Sequence, residues 1–488
     1  MLDRFLTVGE VTDSARRLVS RFPGTGRLRR IGTSRAGRPL LMLSVGHGPH
    51  HVLVVARPHP DEPVGGSTAI ALAERVASAL AERVAHGHRP STATHPSAMT
   101  PPSTATPPST ATPPSAATDP STAAHPSTAT HPSTATHPST ATDPSLVTWD
   151  IVLCLDPDGA ALSEGIEEAT AGSHHTLADY YRAAYRPVAA EQPEWAPIES
   201  RYLPESQALF DVIDELRPVL QCSLHNVEAG GTWVQLTRDL PRFAAPFRKS
   251  AAELAVPVQH GTFDALYWEN PGPGVYVLPP PESAARLAAG SENIGLSTWC
   301  APARYGGVTA IIEVPLWATD LADDLSPRPD AGAVLHDLAE LVRDGGRQVT
   351  AVLDKARPFL PPARDNAPRR VLEWMADGLY DLVAGSWEPL ARQAADGPPG
   401  LTTAQVCALD IVARRQPLRA AGLLLRLLEA ADDPAAPGLY RDLEGLFTTW
   451  SADFEKALRL RRVSVRRQVA LQTRTVLAAA EGALATLR

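Results

Sequence analysis

A proline-rich repeat in the middle of the chain limits what that part can fold into. Between Pro90 and Ser145 a six-residue unit, PSTATH or PSTATP with small variations, occurs nine times before a final Pro-Ser. Proline at every sixth position removes a backbone donor, and Ser, Thr and Ala offer too little apolar surface to offset the entropy of ordering. The repeat is therefore predicted to be a mobile, partly extended surface loop outside any core.

Several histidines fall inside this repeat, namely His95, His125, His131 and His137. They follow the repeat period and have no carboxylate beside them at the spacing of metal ligands. We therefore expect no metal site within the repeat, and look for such a site in the folded parts of the chain.

The composition indicates an ordinary globular protein of two to four domains. Of the 488 residues, 44% are hydrophobic, and 45 basic against 54 acidic residues give a net charge of -9, too mild to indicate nucleic-acid binding. The charged N-terminal segment and the absence of any apolar run of about 18 residues predict neither a signal peptide nor a membrane span. The four cysteines show no CxxC spacing, so reduced thiols and a cytoplasmic location are predicted.

Apolar runs that alternate with helical patterns predict an α/β layer architecture with a central sheet. Leu40–Val45 and His51–Arg57 are typical of strands, and Gly66–Val84 has helical spacing of its apolar residues. Strand patterns return after the repeat, at Ile151–Leu155, Val219–Leu224, Trp233–Leu236 and Thr309–Val314.

From about Val334 onward the strand patterns end and long amphipathic helical patterns begin. The chain is therefore divided into a catalytic domain at 1–330, interrupted by the repeat at 90–145, and a C-terminal all-helical domain at 331–488. A basic cluster near the end is expected to be mainly a solvated helix face, and a protein partner of this helical tail is left open. The cluster comprises Lys456, Arg459, Arg461, Arg462, Arg466 and Arg467.

Three side chains with the chemistry of metal ligands follow two of the predicted strands. His59 and Glu62 lie in the segment PHPDE directly after the strand His51–Arg57, and His225 follows Val219–Leu224. Open α/β sheets bind their ligands at this carboxyl edge. Two imidazole nitrogens and one carboxylate are a ligand set of catalytic zinc, which keeps a fourth position for water. One Zn²⁺ ion is predicted here.

A glutamate lies within another apolar strand pattern, Glu313 in Thr309–Val314. Glutamate is almost never buried without a partner or a task. Beside a metal-activated water, Glu313 would act as the general base and then pass the proton to the leaving amine.

These motifs together resemble the zinc carboxypeptidase family, which includes carboxypeptidase A. The HPDE segment at 59–62 resembles the family's HxxE, Asp156–Gly159 resembles its NPDG, and Ile31–Leu40 is similar to its lead-in turn. His225 matches the third ligand of the family and Glu313 its catalytic glutamate. The order and spacing of the motifs make the combination specific.

The resemblance implies a three-layer α/β/α fold with a central mixed sheet and a zinc-dependent metallocarboxypeptidase that hydrolyses a C-terminal peptide or amide bond. One alternative is a zinc-dependent deacylase of N-acyl amino acids, similar to aspartoacylase and succinylglutamate desuccinylase. Another is a non-catalytic scaffold in which the helical tail is a binding module. A peptide or small amide is the expected substrate, with no nucleic-acid or membrane partner.

The residues that would bind the substrate are not identified by the resemblance. After Gly159 no arginine occurs until Arg182, and the family's Asn-Arg pair is absent. Arg182 and Arg186 are candidates for a carboxylate clamp, because guanidinium groups suit that role, but a solvent-facing helix explains them equally well. Tyr305 is a candidate donor to the scissile amide, with packing as the alternative.

Overall fold

The computed structural model describes residues 4–87, 146–165, 176–195, 202–262, 265, 268–279, 294–395 and 400–487. The hexapeptide repeat and its four histidines lie outside these ranges. Within them, no helix combines the length and the apolar character that crossing a bilayer requires.

Strands and helices alternate through the first part of the chain and helices dominate the second. The strands are β1 (Gly26–Thr33), β2 (Pro39–Val45), β3 (His50–Ala56), β4 (Val147–Val152), β5 (Leu220–Gly230), β6 (Trp233–Leu236), β7 (Glu269–Gly272), β8 (Val275–Val277), β9 (Val308–Ala318) and β10 (Arg461–Arg462). The helices are α1 (Val8–Arg21), α2 (Val64–Gly87), α3 (Pro157–Ser163), α4 (Leu177–Ala183), α5 (Pro204–Leu216), α6 (Ala244–Glu253), α7 (Ala331–Ala356), α8 (Ala367–Trp374), α9 (Tyr380–Ser386), α10 (Glu388–Ala395), α11 (Thr403–Glu429), α12 (Ala436–Ala457) and α13 (Val465–Ala485).

The strands form one mixed sheet in the order β1-β2-β4-β3-β5-β9-β6-β8-β7, and β10 pairs with β9. Its centre, β4-β3-β5-β9, is parallel. Antiparallel pairs flank this centre, β2 against β4 on one side and β6 against β9 on the other. The predicted central mixed sheet is therefore confirmed.

Helices cover both faces of the sheet, as the predicted three-layer α/β/α architecture requires. Alternate residues of β3 are buried on opposite faces of the sheet. Val52 and Val54 belong to a buried core with α1, α2, α6 and α13, whereas Leu53 and Val55 pack with α5. Because both faces are buried, the central strands have continuous apolar sequences instead of an alternating pattern.

A second core lies among helices α7 to α12 and confirms the predicted C-terminal helical region. It contains large buried side chains such as Trp387, Phe447 and Phe454, and it extends to Tyr181 of α4 and Trp317 of β9. The helical region is thus packed on the sheet-containing part of the chain. The boundary at 330 and 331 stays a prediction.

The last helix leaves the helical region and packs on the central sheet. Leu471 and Val476 of α13 are buried in the core that includes the central strands. Two glutamines on this buried face bind the middle of β5: Gln472 Nε2 donates to the carbonyl oxygen of His225 at 3.0 Å, and Asn226 Nδ2 donates to Gln468 Oε1 at 3.1 Å. The end of the chain therefore supports the strand that carries a predicted metal ligand.

Gly422 of α11 lies where the helical region packs against the catalytic part of the chain, so a substitution at this position tests how tight the packing is. A Cβ atom at this position would lie 2.1 Å from the carbonyl oxygen of Tyr181, whereas a Cβ at Gly445 of α12 would meet nothing within 4 Å. We expect Gly422→Ala to lower the free energy of unfolding by about 1–3 kcal/mol through overpacking. Gly445→Ala, its matched control, should leave stability unchanged or raise it by up to about 1 kcal/mol. Urea denaturation measures both, and equal stability of the two variants would contradict the packing.

Candidate metal centre

The register of three parallel strands brings the predicted site residues together just beyond the end of β3. His225 lies within β5, which continues to Gly230, and not after the end of a strand as the sequence predicted. Ala56 of β3 is aligned with Leu224 of β5, and Leu224 with Ile312 of β9. His225 directly follows Leu224, and Glu313 directly follows Ile312. His225 and Glu313 are therefore direct neighbours across the pair of strands. The segment after Ala56, which carries the other two ligands, emerges beside them.

A tight turn between β3 and α2 presents His59 and Glu62. Arg57 takes a left-handed backbone conformation (φ 47°), and its guanidinium Nη2 donates to the carbonyl oxygen of Pro60 at 3.1 Å. The amide of Glu62 donates to the carbonyl oxygen of His59 at 3.3 Å. At the start of α2, the amide of Val64 donates to Asn226 Oδ1, which ties the turn to β5.

Three buried side chains converge with the geometry of a metal site. His59 Nδ1 lies 3.1 Å from Glu62 Oε1, and His225 Nδ1 lies 2.9 Å from Glu62 Oε2. One ligand atom from each of the three residues lies within 4.8 Å of the others. Two imidazole nitrogens and a carboxylate fit a tetrahedral zinc site with a fourth position for water.

A buried glutamate that the sequence did not reveal orients His225. Glu194 Oε2 lies 3.0 Å from His225 Nε2 and accepts a hydrogen bond from Trp299 Nε1 at 2.9 Å. Its other oxygen accepts from Ser223 Oγ at 2.7 Å. A carboxylate on the outer nitrogen of a histidine fixes the tautomer and leaves the inner nitrogen for a metal. Glu194 therefore determines that His225 presents Nδ1 to the site.

Glu313 lies beside the ligand cluster, as predicted for a general base. Its Oε1 is 3.9 Å from His225 Nδ1, and its side chain keeps an exposed fraction of 11%. The backbone of this residue is fixed by the strand pair and by Thr232 Oγ1, which donates to the carbonyl oxygen of Glu313 at 2.7 Å. The carboxylate can therefore reach a water molecule that enters the site.

The charges of the site favour a cation among the ligands. Burial and the neighbouring Arg186 lower the pKa of His59, which favours the neutral imidazole that binds a metal. Burial also opposes the protonated form of His225, but Glu62 and Glu194 raise its pKa well above the usual value. Burial disfavours the ionised form of Glu62, yet His59 and Arg186 hold its pKa well below the usual value.

The two arginines considered as substrate clamps have different surroundings. Arg186 Nη1 donates to Glu62 Oε1 at 2.7 Å and to Asp61 Oδ1 at 3.2 Å, so this arginine borders the metal centre. Arg182 instead donates to Glu444 and to Tyr440 of α12 at 2.6 and 2.8 Å. Arg182 therefore holds the helical region in place, and Arg186 is the candidate that the structure brings to the site.

The hydroxyl of Tyr305 donates to Asp214 at 3.0 Å, and the side chain is exposed. It lies before the start of β9, whereas Glu313 faces the site further along this strand. Its described contacts are with Asp214, Arg217 and Arg304 and none is with the ligand cluster, so the role of Tyr305 as a donor to the scissile amide stays a prediction.

The lead-in turn and the DPDG motif contact each other and support the ligand turn. Asp158 accepts a hydrogen bond from Ser34 Oγ at 2.7 Å, and Asp156 accepts one from the amide of Gly159 at 2.9 Å. A Cβ at Gly159 would lie 2.3 Å from the ring of Pro60, so only glycine lets α3 approach the turn between the two ligands.

The role of Glu194 predicts an effect on metal affinity. Replacement of a carboxylate that orients a metal-bound histidine typically lowers metal affinity about 10–100-fold. We expect this loss for Glu194→Gln, measured by zinc competition against a chromogenic chelator. Glu191→Gln is the matched control, because Glu191 pairs with Arg370 outside the metal centre. Equal zinc affinity in the two variants would contradict the role of Glu194.

Comparisons with known proteins give a likeness in structure only. No protein-family model and no curated protein sequence matches the chain. A metallo-carboxypeptidase from Burkholderia cenocepacia matches with 16% identity, 63% of this chain and 60% of that chain covered, and a TM-score of 0.32. Carboxypeptidase A from Helicoverpa armigera matches with 12% identity, 65% and 66% covered, and a TM-score of 0.33.

Many of the solved structures that this chain matches are metallo-carboxypeptidases or putative metallopeptidases, and carboxypeptidases are the family that its sequence motifs resemble. The chain spans 60% of the length of the Burkholderia protein. Because both TM-scores lie below 0.5, the likeness carries no argument about activity. The assignment of the metal centre rests on the geometry of His59, Glu62 and His225.

Proposed function

We propose that this protein is a zinc-dependent metallocarboxypeptidase, which hydrolyses the amide bond that precedes a C-terminal residue. The observation that carries the proposal is the convergence of His59, Glu62 and His225 with Glu313 beside them. A structural zinc site has four protein ligands and is closed, whereas a catalytic site has three and keeps one position for water. The cluster of three ligands, with the carboxylate of Glu313 beside it, matches the catalytic type.

The chain's own residues supply the proton transfers. His59, Glu62 and His225 would hold the zinc ion, which when bound would supply polarisation of the scissile carbonyl and a water whose pKa is lowered to about 7. Glu313 accepts the proton of the attacking water, and its fixed backbone keeps the carboxylate beside the reacting atoms. The same carboxylic acid then donates this proton to the leaving nitrogen, so that one residue acts as base and as acid.

Arg186 is the residue proposed to bind the substrate. Its Nη1 is bound to Glu62 and Asp61, but Nη2 and Nε make no hydrogen bond to any residue in the described ranges. The side chain keeps an exposed fraction of 25%. These donors can form the paired hydrogen bonds with which arginine binds a carboxylate. A free C-terminus held there would lie next to the metal ligands.

The same centre supports a second reaction, deacylation of an N-acyl amino acid. In both reactions the leaving group is an amino acid with a free carboxylate, so the contacts of Arg186 do not separate them. The third hypothesis, a scaffold without activity, is less well supported, because each of the predicted ligands and the predicted base lies at the site.

Glu313→Gln tests the proposed base. The variant keeps the size of the side chain but cannot accept a proton, and general acid–base catalysis contributes typically about 10²–10⁴-fold to a rate. We expect kcat to fall by about that factor while zinc content stays at one ion per chain, measured by elemental mass spectrometry. Glu253→Gln, an exposed substitution on α6, is the control. Unchanged kcat in Glu313→Gln, or wild-type protein that binds no zinc, would contradict the proposal.

The acyl part of the preferred substrate distinguishes the carboxypeptidase reaction from the deacylase reaction. A carboxypeptidase should cleave blocked di- and tripeptides with a free C-terminus, and an N-acyl-amino-acid deacylase should prefer acetyl- or succinyl-amino acids. We expect the higher kcat/KM for peptides and more than about tenfold lower kcat/KM when the C-terminus is amidated, since the charge-assisted hydrogen bonds to Arg186 are lost. A preference for acetyl-amino acids would favour the deacylase.

A further inference from the structure

Asp61 lies between two of the metal ligands in sequence but is not one of them. It belongs to the turn that carries His59 and Glu62, and its side chain is buried. Its two carboxylate oxygens lie 3.2 Å from Arg186 Nη1 and 3.5 Å from Arg419 Nη2. Because Arg419 belongs to α11, the turn that carries two ligands is bound through Asp61 to the helical region.

Arg419 also binds the strand that carries the third ligand. Its guanidinium group pairs with Glu228 of β5, three residues after His225, and Arg415 lies 3.5 Å from the same carboxylate. Burial disfavours the ionised form of Glu228, yet Arg419 and Arg415 lower its pKa to about 2, so this ion pair is formed at neutral pH. One arginine of the helical region thus connects both chain segments that carry the metal ligands.

The space beside Asp61 leaves its ion pairs to fix its position. Asp61, Arg186 and Arg419 line a cavity of about 230 Å³ between the ligand turn and the helices α8 and α11. Side chains that border a cavity lack contact atoms on that side, so packing holds them less firmly. A buried charge that loses its partner is strongly destabilised. We therefore expect the ligand turn to shift when Arg419 loses its charge.

We propose that Arg419 is a positioning residue of the metal centre, which acts through Asp61 on the ligand turn and through Glu228 on the strand of His225. The helical region is then a part of the metal site and not only a neighbouring layer. Residues outside the ligand sphere typically change metal affinity about 10–100-fold. The inference rests on the metal centre of the proposed function, but it is independent of which amide the protein hydrolyses.

Zinc competition against a chromogenic chelator tests the inference on the full-length protein. Arg419→Met keeps the length of the side chain but removes its charge, and we expect the Kd for zinc to rise at least about tenfold. Arg414→Met is the matched control, because Arg414 lies on the same helix, has a similar exposed fraction (18% against 17%) and pairs with Asp410 of α11. Its Kd for zinc should change less than about threefold.

The visible absorption of cobalt-substituted protein separates positioning from a loss of stability. The bands of Co²⁺ depend on the geometry of its ligands, so they should shift in Arg419→Met and stay unchanged in Arg414→Met. Arg419→Lys keeps the charge and serves where Arg419→Met does not fold. We expect Arg419→Lys to raise the Kd for zinc about three- to tenfold, since an ammonium group lacks the fixed fork of donors with which a guanidinium group binds carboxylates.

Asp61→Asn combined with Arg419→Met tests whether the two residues act together. The Kd of the double variant should rise by less than the product of the two separate effects, and a full product would contradict action through Asp61. Wild-type zinc affinity in a folded Arg419 variant, or an equal loss in Arg419→Met and Arg414→Met, would overturn the inference and leave the proposed function standing. If the wild type binds zinc in an Arg419-dependent manner but hydrolyses neither peptides nor acyl-amino acids, the inference stands and the proposed reaction does not.

Discussion

The candidate active site depends on the register between β3, β5 and β9. These strands are parallel, and their alignment brings His225 in the middle of β5 and Glu313 in the middle of β9 next to the segment that follows the end of β3. A shift by one residue would turn His225 and Glu313 to the opposite face, because side chains alternate along a strand. The apolar core on both faces fixes the register, so the packing that stabilises the fold also positions the ligands.

The C-terminal part of the chain contributes to this arrangement from two directions. From one side, Gln468 and Gln472 of α13 bind Asn226 and the backbone of His225 in the middle of β5. From the other side, the helical region faces the cavity next to Arg186 and contributes Arg419, which binds Glu228 of β5. Buried charges of this kind are costly unless they are paired, and here each arginine has a carboxylate partner. The helical region and the metal centre are therefore expected to be stable only together.

Much of the fold and of the site could be predicted from the sequence, because the informative residues are marked by local patterns. His59, Glu62, His225 and Glu313 follow or interrupt apolar strands, and polar residues at such places are conspicuous. Glu194 does not follow or interrupt an apolar strand. It lies in a short irregular segment, and only the tertiary fold brings it to His225. Helical periodicity also identified α13 but not the layer that it joins, since an apolar stripe packs equally well on helices or on a sheet.

The central claim is that His59, Glu62 and His225 bind one zinc ion through two Nδ1 atoms and a carboxylate. A crystal structure of the zinc-loaded protein, with anomalous data collected on both sides of the zinc absorption edge, tests it most directly. We expect one strong anomalous peak at about 2.0–2.2 Å from His59 Nδ1, His225 Nδ1 and a Glu62 oxygen, with Glu313 outside the ligand sphere. A peak bound to other residues, or a peak with Glu313 as a fourth protein ligand, would contradict it.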